Sequence, residues 1–308
     1  MPQTTRRVFL KQSMAAGALA GAAGQLGLAS AGEAPKAAAV PSAGEAPKAA
    51  AAKMRLGFVT YLWGQDWDLP TLIANCQKTG ILGVEPRVEH KHGITLGMSA
   101  DERKAVRKRF ADSPVTFVGM STNECYDSPD PAKLAKNIEN TKAWLQLSAD
   151  LGGSGVKVKP NDFHKGVAHE KTIEQIGKSL DALGKTAADL GQQLRLEVHG
   201  SCCELPTIKA VMDIAKHPSV GVCWNCNDED LKGDGLAANF AMVVDRIGAT
   251  THVRELNVGS YPYQELIRLL AKAKYVGWVL LEGRTRPADR VAAMIQQRQV
   301  FEKMLASV

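Results

Sequence analysis

Residues 171–200 read KTIEQIGKSLDALGKTAADLGQQLRLEVHG, and this stretch decides the fold class. Apolar residues recur at helical spacing over its first part, and Gly191 gives a good helix C-cap signal. The segment that follows, LRLEVHG at 194–200, is rich in β-forming residues and alternates in polarity. The stretch therefore predicts a helix that leads directly into a strand.

The same unit repeats over the rest of the chain. Strands are predicted at 55–61, 83–87, 115–121, 155–160, 194–200, 220–225, 252–257 and 278–283, and helical patterns such as 135–153 lie between them. An open doubly wound sheet also alternates strands and helices, but no G-x-G-x-x-G follows the first strand. Eight units within 54–308 match the length of a closed barrel. We therefore expect an α/β fold, a single-domain (β/α)₈ TIM barrel over 54–308.

The first 53 residues have a different composition. TTRRVFLK at 4–11 is followed by an Ala/Gly-rich apolar run and by Ala29-Ser30-Ala31, the layout of a twin-arginine export signal over 1–31. AGEAPKAAA then occurs at 31–39 and again at 43–51, which predicts an Ala/Pro-rich linker over 32–53 that cannot bury a core. We expect a disordered signal and linker, and a periplasmic or otherwise extracytoplasmic protein.

Overall composition excludes several classes. Hydrophobic residues make up 45% of the chain and charged residues 23%, as in soluble globular proteins. The formal charge is +6, and its densest basic run, 104–110, is typical of a solvated helix face, so we expect no nucleic-acid partner. The apolar run near the N-terminus is short and Gly-rich, which argues against a stable membrane span. Nothing in the sequence indicates an oligomeric state.

The cysteines allow two special interpretations. Cys223 and Cys226 form a C-x-x-C, and Cys202 and Cys203 offer a second pair. A redox motif and a zinc site are therefore both conceivable from the spacing. If 220–225 is a strand, however, the first two sulfurs lie on opposite sides of it. Adjacent cysteines also have the wrong spacing for a zinc knuckle. We therefore expect buried thiols.

Charged residues end several of the predicted strands. Glu197 and His199 share one strand face, as do Lys157 and Lys159, and Glu282 ends an otherwise apolar strand. Burying such groups without partners costs several kcal/mol each. We expect them at the barrel mouth, paired with each other, with a metal or with a substrate. The alternative is an ion pair that only holds the barrel together.

The order of these motifs resembles one superfamily. LEVHG with Glu197, VGVCWN with Asn225, the HVRELN strand, and YPYQELIRLLAKAKYVGWVLLEG with Glu282 are similar to xylose-isomerase-like TIM barrels, the sugar phosphate isomerase/epimerase family. The resemblance implies a divalent metal (Mn, Mg, Co or Zn) held by Glu, Asp, His and Glu from strands five to eight. Glu197, Asn225 and Glu282 take three of these places.

The resemblance also implies roles for individual residues. Glu197 and Glu282 would be the catalytic groups that move protons beside a sugar carbonyl. Because the family's H-x-H pattern falls on His252-Val253-Arg254, the metal histidine is replaced by Arg254 and His252 takes the inner, structural place. Arg254 would then neutralise the glutamates. The substrate-binding residues expected at the mouth are Trp63, Glu85, His90, His92, Lys159, His199, Asn227 and Arg254.

Three functions remain open at this point. The first is an exported carbohydrate-active isomerase, epimerase or related lyase whose ligand is a small carbohydrate. The second is a sugar-binding barrel that has lost its metal site and its chemistry. The third is an endonuclease IV type phosphodiesterase, which would need a cluster of metal ligands and access to DNA.

Overall fold

A ring of parallel strands surrounded by helices forms the protein. The structure is a computed structural model that describes residues 54–308. Its strands are Arg55–Val59 (β1), Gly83–Glu85 (β2), Thr116–Phe117 (β3), Met120–Cys125 (β4), Gly155–Lys159 (β5), Gln193–Glu197 (β6), Val220–Cys223 (β7), Thr250–Val253 (β8) and Trp278–Leu281 (β9). Its α-helices are Leu69–Thr79 (α1), Ala100–Ala111 (α2), Pro131–Leu151 (α3), His169–Asp189 (α4), Leu205–Ile214 (α5), Leu236–Ala241 (α6), Tyr263–Lys272 (α7) and Arg290–Ala306 (α8).

The strands close into a barrel. They pair in the orders β3-β2-β1-β9-β8 and β4-β5-β6-β7, with every pairing parallel. A bridge from Arg87 to Ser121 joins β2 to β4, and a bridge from Asn225 to His252 joins the end of β7 to β8. Since β3 and β4 together make the third barrel strand, the ring has eight strands. The predicted (β/α)₈ barrel is confirmed.

Local sequence signals set the helix boundaries. The Asp68 side chain accepts a hydrogen bond from the backbone N–H of Thr71 at the start of α1, and Gly80 ends that helix in the left-handed conformation. Ser99 and Glu102 form a capping box at the start of α2. Helices α1 and α2 therefore begin at residues suited to a helix N-terminus, and α1 ends at a glycine suited to its C-terminus.

The two faces of the strands have different surroundings. Outward residues such as Leu196 and Leu281 pack against the helices in one large apolar core. Val59, Val118, Trp278 and Leu280 form a separate small apolar cluster. The barrel interior also holds buried charged side chains: Glu85, Lys157, Arg195, Glu197 and His252. The polar interior opens at the carboxyl ends of the strands, where TIM barrels carry their function.

Most strands end earlier than predicted, and the third and seventh differ in ways that affect the site. The third strand is interrupted between Phe117 and Met120 and then runs on to Cys125. The seventh was predicted at 252–257, whereas β8 ends at Val253, so Arg254 and the residues after it lie in a loop. Alternation of side chains therefore cannot be extended from His252 to Arg254 and beyond.

The predicted signal (1–31) and linker (32–53) lie outside the described residues and stay predictions. Within residues 54–308, no helix has both the length and the apolar character needed to cross a membrane.

Candidate active site

Glu197 is the centre of the buried charges at the mouth. It is the last residue of β6 and only 2% exposed. Its Oε2 accepts a hydrogen bond from Lys157 Nζ at 2.6 Å, and its Oε1 accepts one from Asn225 Nδ2 at 3.1 Å. Burial alone would raise the pKa of Glu197, but the Lys157 ammonium and His252 outweigh it and hold that pKa well below its usual range. Glu197 is therefore a carboxylate with both oxygens engaged.

A row of alternating charges continues from Glu197 into the barrel. His252 Nδ1 lies 3.5 Å from Glu197 Oε1, and His252 Nε2 lies 3.0 Å from Glu85 Oε1. Glu85 Oε2 in turn lies 3.9 Å from Arg195 NH1, and both groups are fully buried. We call Arg195, Glu85, His252, Glu197 and Lys157 the interior charge row. Burial alone would lower the pKa of His252, but the adjacent Cys223 sulfur and the two carboxylates raise it above its usual value.

Glu282 faces this row from β9. It follows the strand directly, is 6% exposed, and its Oε2 accepts a single hydrogen bond, from Arg284 NH2 at 3.4 Å. The loop behind it is held by Glu255, whose Oε1 accepts hydrogen bonds from the backbone N–H groups of Arg284 and Thr285 at 2.9 and 2.6 Å. The backbone around Glu282 is thus held in place, while its carboxylate accepts fewer and longer hydrogen bonds than that of Glu197.

Three of these groups converge closely enough to share a cation. One oxygen of Glu197, one oxygen of Glu282 and one nitrogen of His252 all lie within 4.8 Å of one another. Asn225 Oδ1 and His252 Nδ1 are buried and have no hydrogen-bond partner. Imidazole nitrogen with carboxylate and amide oxygen suits Zn²⁺ or Mn²⁺. Glu197, His252 and Glu282 therefore fit a divalent metal, and the unpartnered Asn225 Oδ1 would be the candidate for a fourth ligand.

The open space above these groups is small and lined by cations. A cavity of about 50 Å³ is bounded by Tyr61, Arg87, Lys157, Lys159, Glu197, His199, Glu282 and Arg284. Four of these residues are cationic and two are carboxylates. The cavity has room for an ion and a water or two, so a sugar ring would lie above it at the rim.

Comparison with known proteins gives the family. Residues 73–304 match the xylose isomerase-like TIM barrel family, which is most of the chain. The chain belongs to the xylose isomerase-like TIM barrel family. No curated protein matches.

Several solved structures, among them sugar epimerases, have a similar fold. The 3-keto-D-glucoside 4-epimerase of E. coli is 16% identical, with a TM-score of 0.69 over 82% of this chain and 100% of its own. An L-ribulose 3-epimerase is 17% identical, with a TM-score of 0.70 over 82% and 95%. The IOLI protein, whose structure contains a zinc atom, is 15% identical, with a TM-score of 0.69 over 82% and 99%. At these identities the likeness establishes the fold alone.

Of the residues predicted from sequence for this xylose isomerase-like barrel, four line the cavity. They are Lys159, Glu197, His199 and Glu282. The expected approach of the two glutamates across the mouth is confirmed by their convergence with His252. The expected pairing of a buried lysine with a buried acid is confirmed by Lys157 and Glu197. Glu85 lies below the cavity, in the interior charge row.

Other residues predicted to bind substrate make hydrogen bonds within the fold. Trp63 is buried, and its Nε1 donates to the Thr285 carbonyl at 2.9 Å. His92 Nε2 donates to the Arg87 carbonyl at 2.7 Å while its Nδ1 accepts from the Ile94 N–H, so both ring nitrogens are engaged. These two side chains hold the loops that carry the cavity residues.

Asn227 and His90 also have partners within the protein. Asn227 Nδ2 donates to the carbonyls of Val198 and Asn225, both at 2.8 Å, which joins the loops after β6 and β7. His90 Nδ1 lies 3.1 Å from Thr60 Oγ1, and burial, with Arg87 nearby, lowers the pKa of His90 to about 4. His90 is therefore a neutral imidazole at physiological pH.

The predicted role of Arg254 needs correction. The sequence pattern placed Arg254 against the glutamates and gave His252 a structural place, whereas His252 is the residue that converges with Glu197 and Glu282. Arg254 lies after the end of β8, and its charge acts on Asp230 and Cys226 instead. The positive charge beside Glu197 comes from Lys157.

Three residues that line the cavity were not among the substrate-binding residues expected from the sequence: Tyr61, Arg87 and Arg284. Lys157 was expected at the mouth, whereas His252 was expected only in a structural place and instead converges with the two glutamates. His252 could have been found by taking the first position of the H-x-H pattern, and not the second, as the metal ligand.

The cysteines are thiols inside the protein. All six are free, and Cys223 and Cys226 are both buried. Burial raises the pKa of Cys202 to about 12 and that of Cys203 to about 11, so both are protonated at neutral pH. These groups lack the thiolate character that redox and zinc sites use.

Proposed function

We propose that this protein is a sugar isomerase or epimerase in which Glu282 and Glu197 transfer protons at carbon atoms beside a sugar carbonyl. The observation that carries the proposal is the convergence of two buried glutamates from β6 and β9 with His252 at the barrel mouth. Barrels of similar fold include a 3-keto-D-glucoside 4-epimerase and an L-ribulose 3-epimerase, which is consistent with this chemistry.

Glu282 is the better base of the pair. Its one hydrogen bond, from Arg284, is long at 3.4 Å, so the carboxylate can approach a substrate C–H without losing strong partners. In the proposed step Glu282 takes the proton from the carbon next to the carbonyl. The C–H electron pair moves into the enediolate, and its negative charge develops on the former carbonyl oxygen.

Glu197 and Lys157 act on the other side of the reaction. Lys157 Nζ lies 2.6 Å from Glu197 Oε2 and donates to it, so Glu197 can pass a proton to carbon as Lys157 supplies one in turn. Lys157 loses a proton and Glu282 gains one, which conserves charge and protons. Delivery to the opposite face of the same carbon gives an epimer. Delivery to the neighbouring carbon, with the hydroxyl proton of the first carbon passing to the former carbonyl oxygen, gives an isomer.

A divalent metal fits this site through Glu197, His252, Glu282 and Asn225 Oδ1. When bound, such an ion polarises a carbonyl and stabilises the enediolate charge.

Export by the twin-arginine route remains part of the proposal. Its support is the TTRRVFLK motif at 4–11. In a host with that pathway, full-length protein should reach the periplasm, and the double substitution Arg6→Lys, Arg7→Lys should keep it in the cytoplasm. Equal periplasmic amounts of both proteins would contradict the export proposal.

Deuterium exchange tests the reaction. The purified protein is incubated in D₂O, with and without Mn²⁺, with a panel of free ketoses, aldoses and 3-keto-glycosides, and exchange at carbon is followed by NMR. We expect exchange at one carbon beside the carbonyl of at least one sugar. Glu282→Gln should reduce its rate about 10²–10⁴-fold.

A matched control is Glu170→Gln, on the exposed first turn of α4, which should leave the rate unchanged. Sugars that bind without exchange at any carbon would instead support the sugar-binding barrel. That alternative is favoured by one observation, the engagement of both Glu197 oxygens by Lys157 and Asn225.

A further inference from the structure

Two cations at the barrel mouth share a neutral partner. Arg87 follows β2 and Lys159 ends β5, and both donate to the side-chain oxygen of Asn123 on β4. The distances to Asn123 Oδ1 are 3.2 Å from Arg87 NH2 and 3.4 Å from Lys159 Nζ. Within residues 54–308, neither cation forms an ion pair with a carboxylate. Two positive groups therefore point at one uncharged oxygen.

The other charges of the cavity do not compensate them. Lys157 pairs with Glu197 at 2.6 Å, and Arg284 contacts Glu282 at 3.4 Å. Both carboxylates of the cavity lining therefore already have a cationic partner. Arg87 and Lys159 are left as the uncompensated positive charges at the mouth.

Arg87 is held in place before any ligand arrives, and the surroundings of Lys159 disfavour its charge. The Arg87 guanidinium lies over the Tyr61 ring at 4.9 Å from its centroid, and the Arg87 backbone N–H donates to Thr60 Oγ1 at 2.8 Å. Burial and the neighbouring Lys157 lower the pKa of Lys159, so its ammonium would be favoured by an added negative charge. The arrangement is suited to an anionic oxygen in the place of Asn123 Oδ1.

We infer that the carbohydrate ligand carries an anionic group, a carboxylate or a phosphate, that Arg87 and Lys159 bind at the mouth. The inference rests on the proposed function in taking the ligand to be a sugar. Glu282 and Glu197 line the same cavity as this pair, so a ligand anchored there by its anion has its carbon atoms close to the two glutamates. Neutral sugars would lack this anchor.

Binding is measured by calorimetry with matched pairs. D-glucuronate and D-galacturonate represent carboxylates, D-glucose 6-phosphate and inorganic phosphate represent phosphates, and D-glucose, D-galactose and chloride are the counterparts. Hydrogen bonds to charged groups are worth about tenfold to a hundredfold in affinity. We expect at least one of these anions to bind about tenfold or more tightly than its counterpart, and more weakly as salt is raised. The better-bound class identifies the anion.

Three variants assign the preference to the two cations. Arg87→Gln and Lys159→Gln should each reduce anion affinity about tenfold or more. Asn123→Asp introduces a carboxylate where the two cations meet, so it should abolish the preference without harming the fold. Lys185→Gln, on the exposed face of α4, is the matched control and should bind as the wild type does.

If no anion of the set binds wild-type protein more tightly than its counterpart, or if Asn123→Asp retains the preference, the inference is wrong. The calorimetry does not depend on turnover. Anion binding without deuterium exchange would leave the inference standing and the proposed function refuted. Exchange on neutral sugars without any anion preference would support the proposed function and refute the inference.

Discussion

Removing the Lys157 ammonium should destabilise the protein far more than breaking an exposed ion pair of the same length. Lys157 Nζ and Glu197 Oε2 are 2.6 Å apart, and the side chains are 2% and 3% exposed. Lys209 Nζ and Asp213 Oδ2 on α5 are also 2.6 Å apart, but there the side chains are 49% and 63% exposed. The two pairs differ mainly in burial.

The expected magnitude follows from this geometry. At an effective dielectric constant of about 20, unit charges at 2.6 Å attract each other by about 6 kcal/mol, and desolvation offsets part of this. Lys157→Met leaves Glu197 charged and buried, so we expect a loss of about 3–5 kcal/mol in the free energy of unfolding. In a double-mutant cycle with Glu197→Gln, the coupling energy should be about 3 kcal/mol. The exposed pair should give about 0–1 kcal/mol.

Urea unfolding, followed by tryptophan fluorescence and circular dichroism, measures all the variants. It should be done with EDTA present, because a bound metal would stabilise the folded state of some variants and not of others. Lys209→Met with Asp213→Asn provides the control cycle. Equal coupling energies in the two cycles would refute the argument that burial sets the strength of the Lys157–Glu197 pair.

Two further predictions concern pH and metal binding. Burial raises the pKa of Asp230 to about 7, although hydrogen bonds from Asn227 and Tyr261 act to lower it. Between about pH 4 and 7 the folded protein therefore keeps a proton on Asp230 that the unfolded chain has released. The free energy of unfolding should fall as pH rises through that window. In urea unfolding, Asp230→Asn should be more stable than wild type at pH 8 but not at pH 4, and the exposed control Asp189→Asn should show no such difference. For the metal, calorimetry should show that His252→Asn weakens Mn²⁺ binding at least tenfold and that Arg254→His leaves it unchanged. A gain in Mn²⁺ affinity from Arg254→His would instead place residue 254 beside the glutamates, as the sequence predicted.

Strand alternation was enough to predict the main pairings of the site. Lys157 and Lys159 both lie in β5, so their common face could be inferred from a spacing of two residues. Glu197 ends β6, and His199, two residues beyond the strand end, still lines the same cavity. The same reasoning failed at Arg254, because β8 ends one residue earlier and alternation is not fixed beyond a strand end. Strand ends depend on hydrogen bonds to neighbouring strands, which a single segment does not reveal.

The contacts of loop side chains were a second feature that the sequence did not predict. Trp63, His92 and Asn227 follow strands, as substrate-binding residues do, yet each donates a hydrogen bond to a loop carbonyl. Loop backbone groups need partners once they are buried. Which side chain supplies a partner depends on contacts far apart in the chain, for example 222 residues between Trp63 and Thr285. The sequence identified these side chains as polar groups near the mouth but not their purpose.

The interior charge row has a consequence for how this protein can change during evolution. Arg195 does not line the cavity, yet its guanidinium lies 3.9 Å from Glu85 Oε2, and Glu85 in turn contacts His252. A neutral residue at Arg195 would therefore alter the charge balance at Glu197 without touching any ligand. Substitutions along the row should show strong epistasis, each tolerated only with a compensating change at a neighbour. Laboratory libraries that randomise only the rim would leave this constraint in place, and new specificities should come more readily from libraries that vary the rim and the row together.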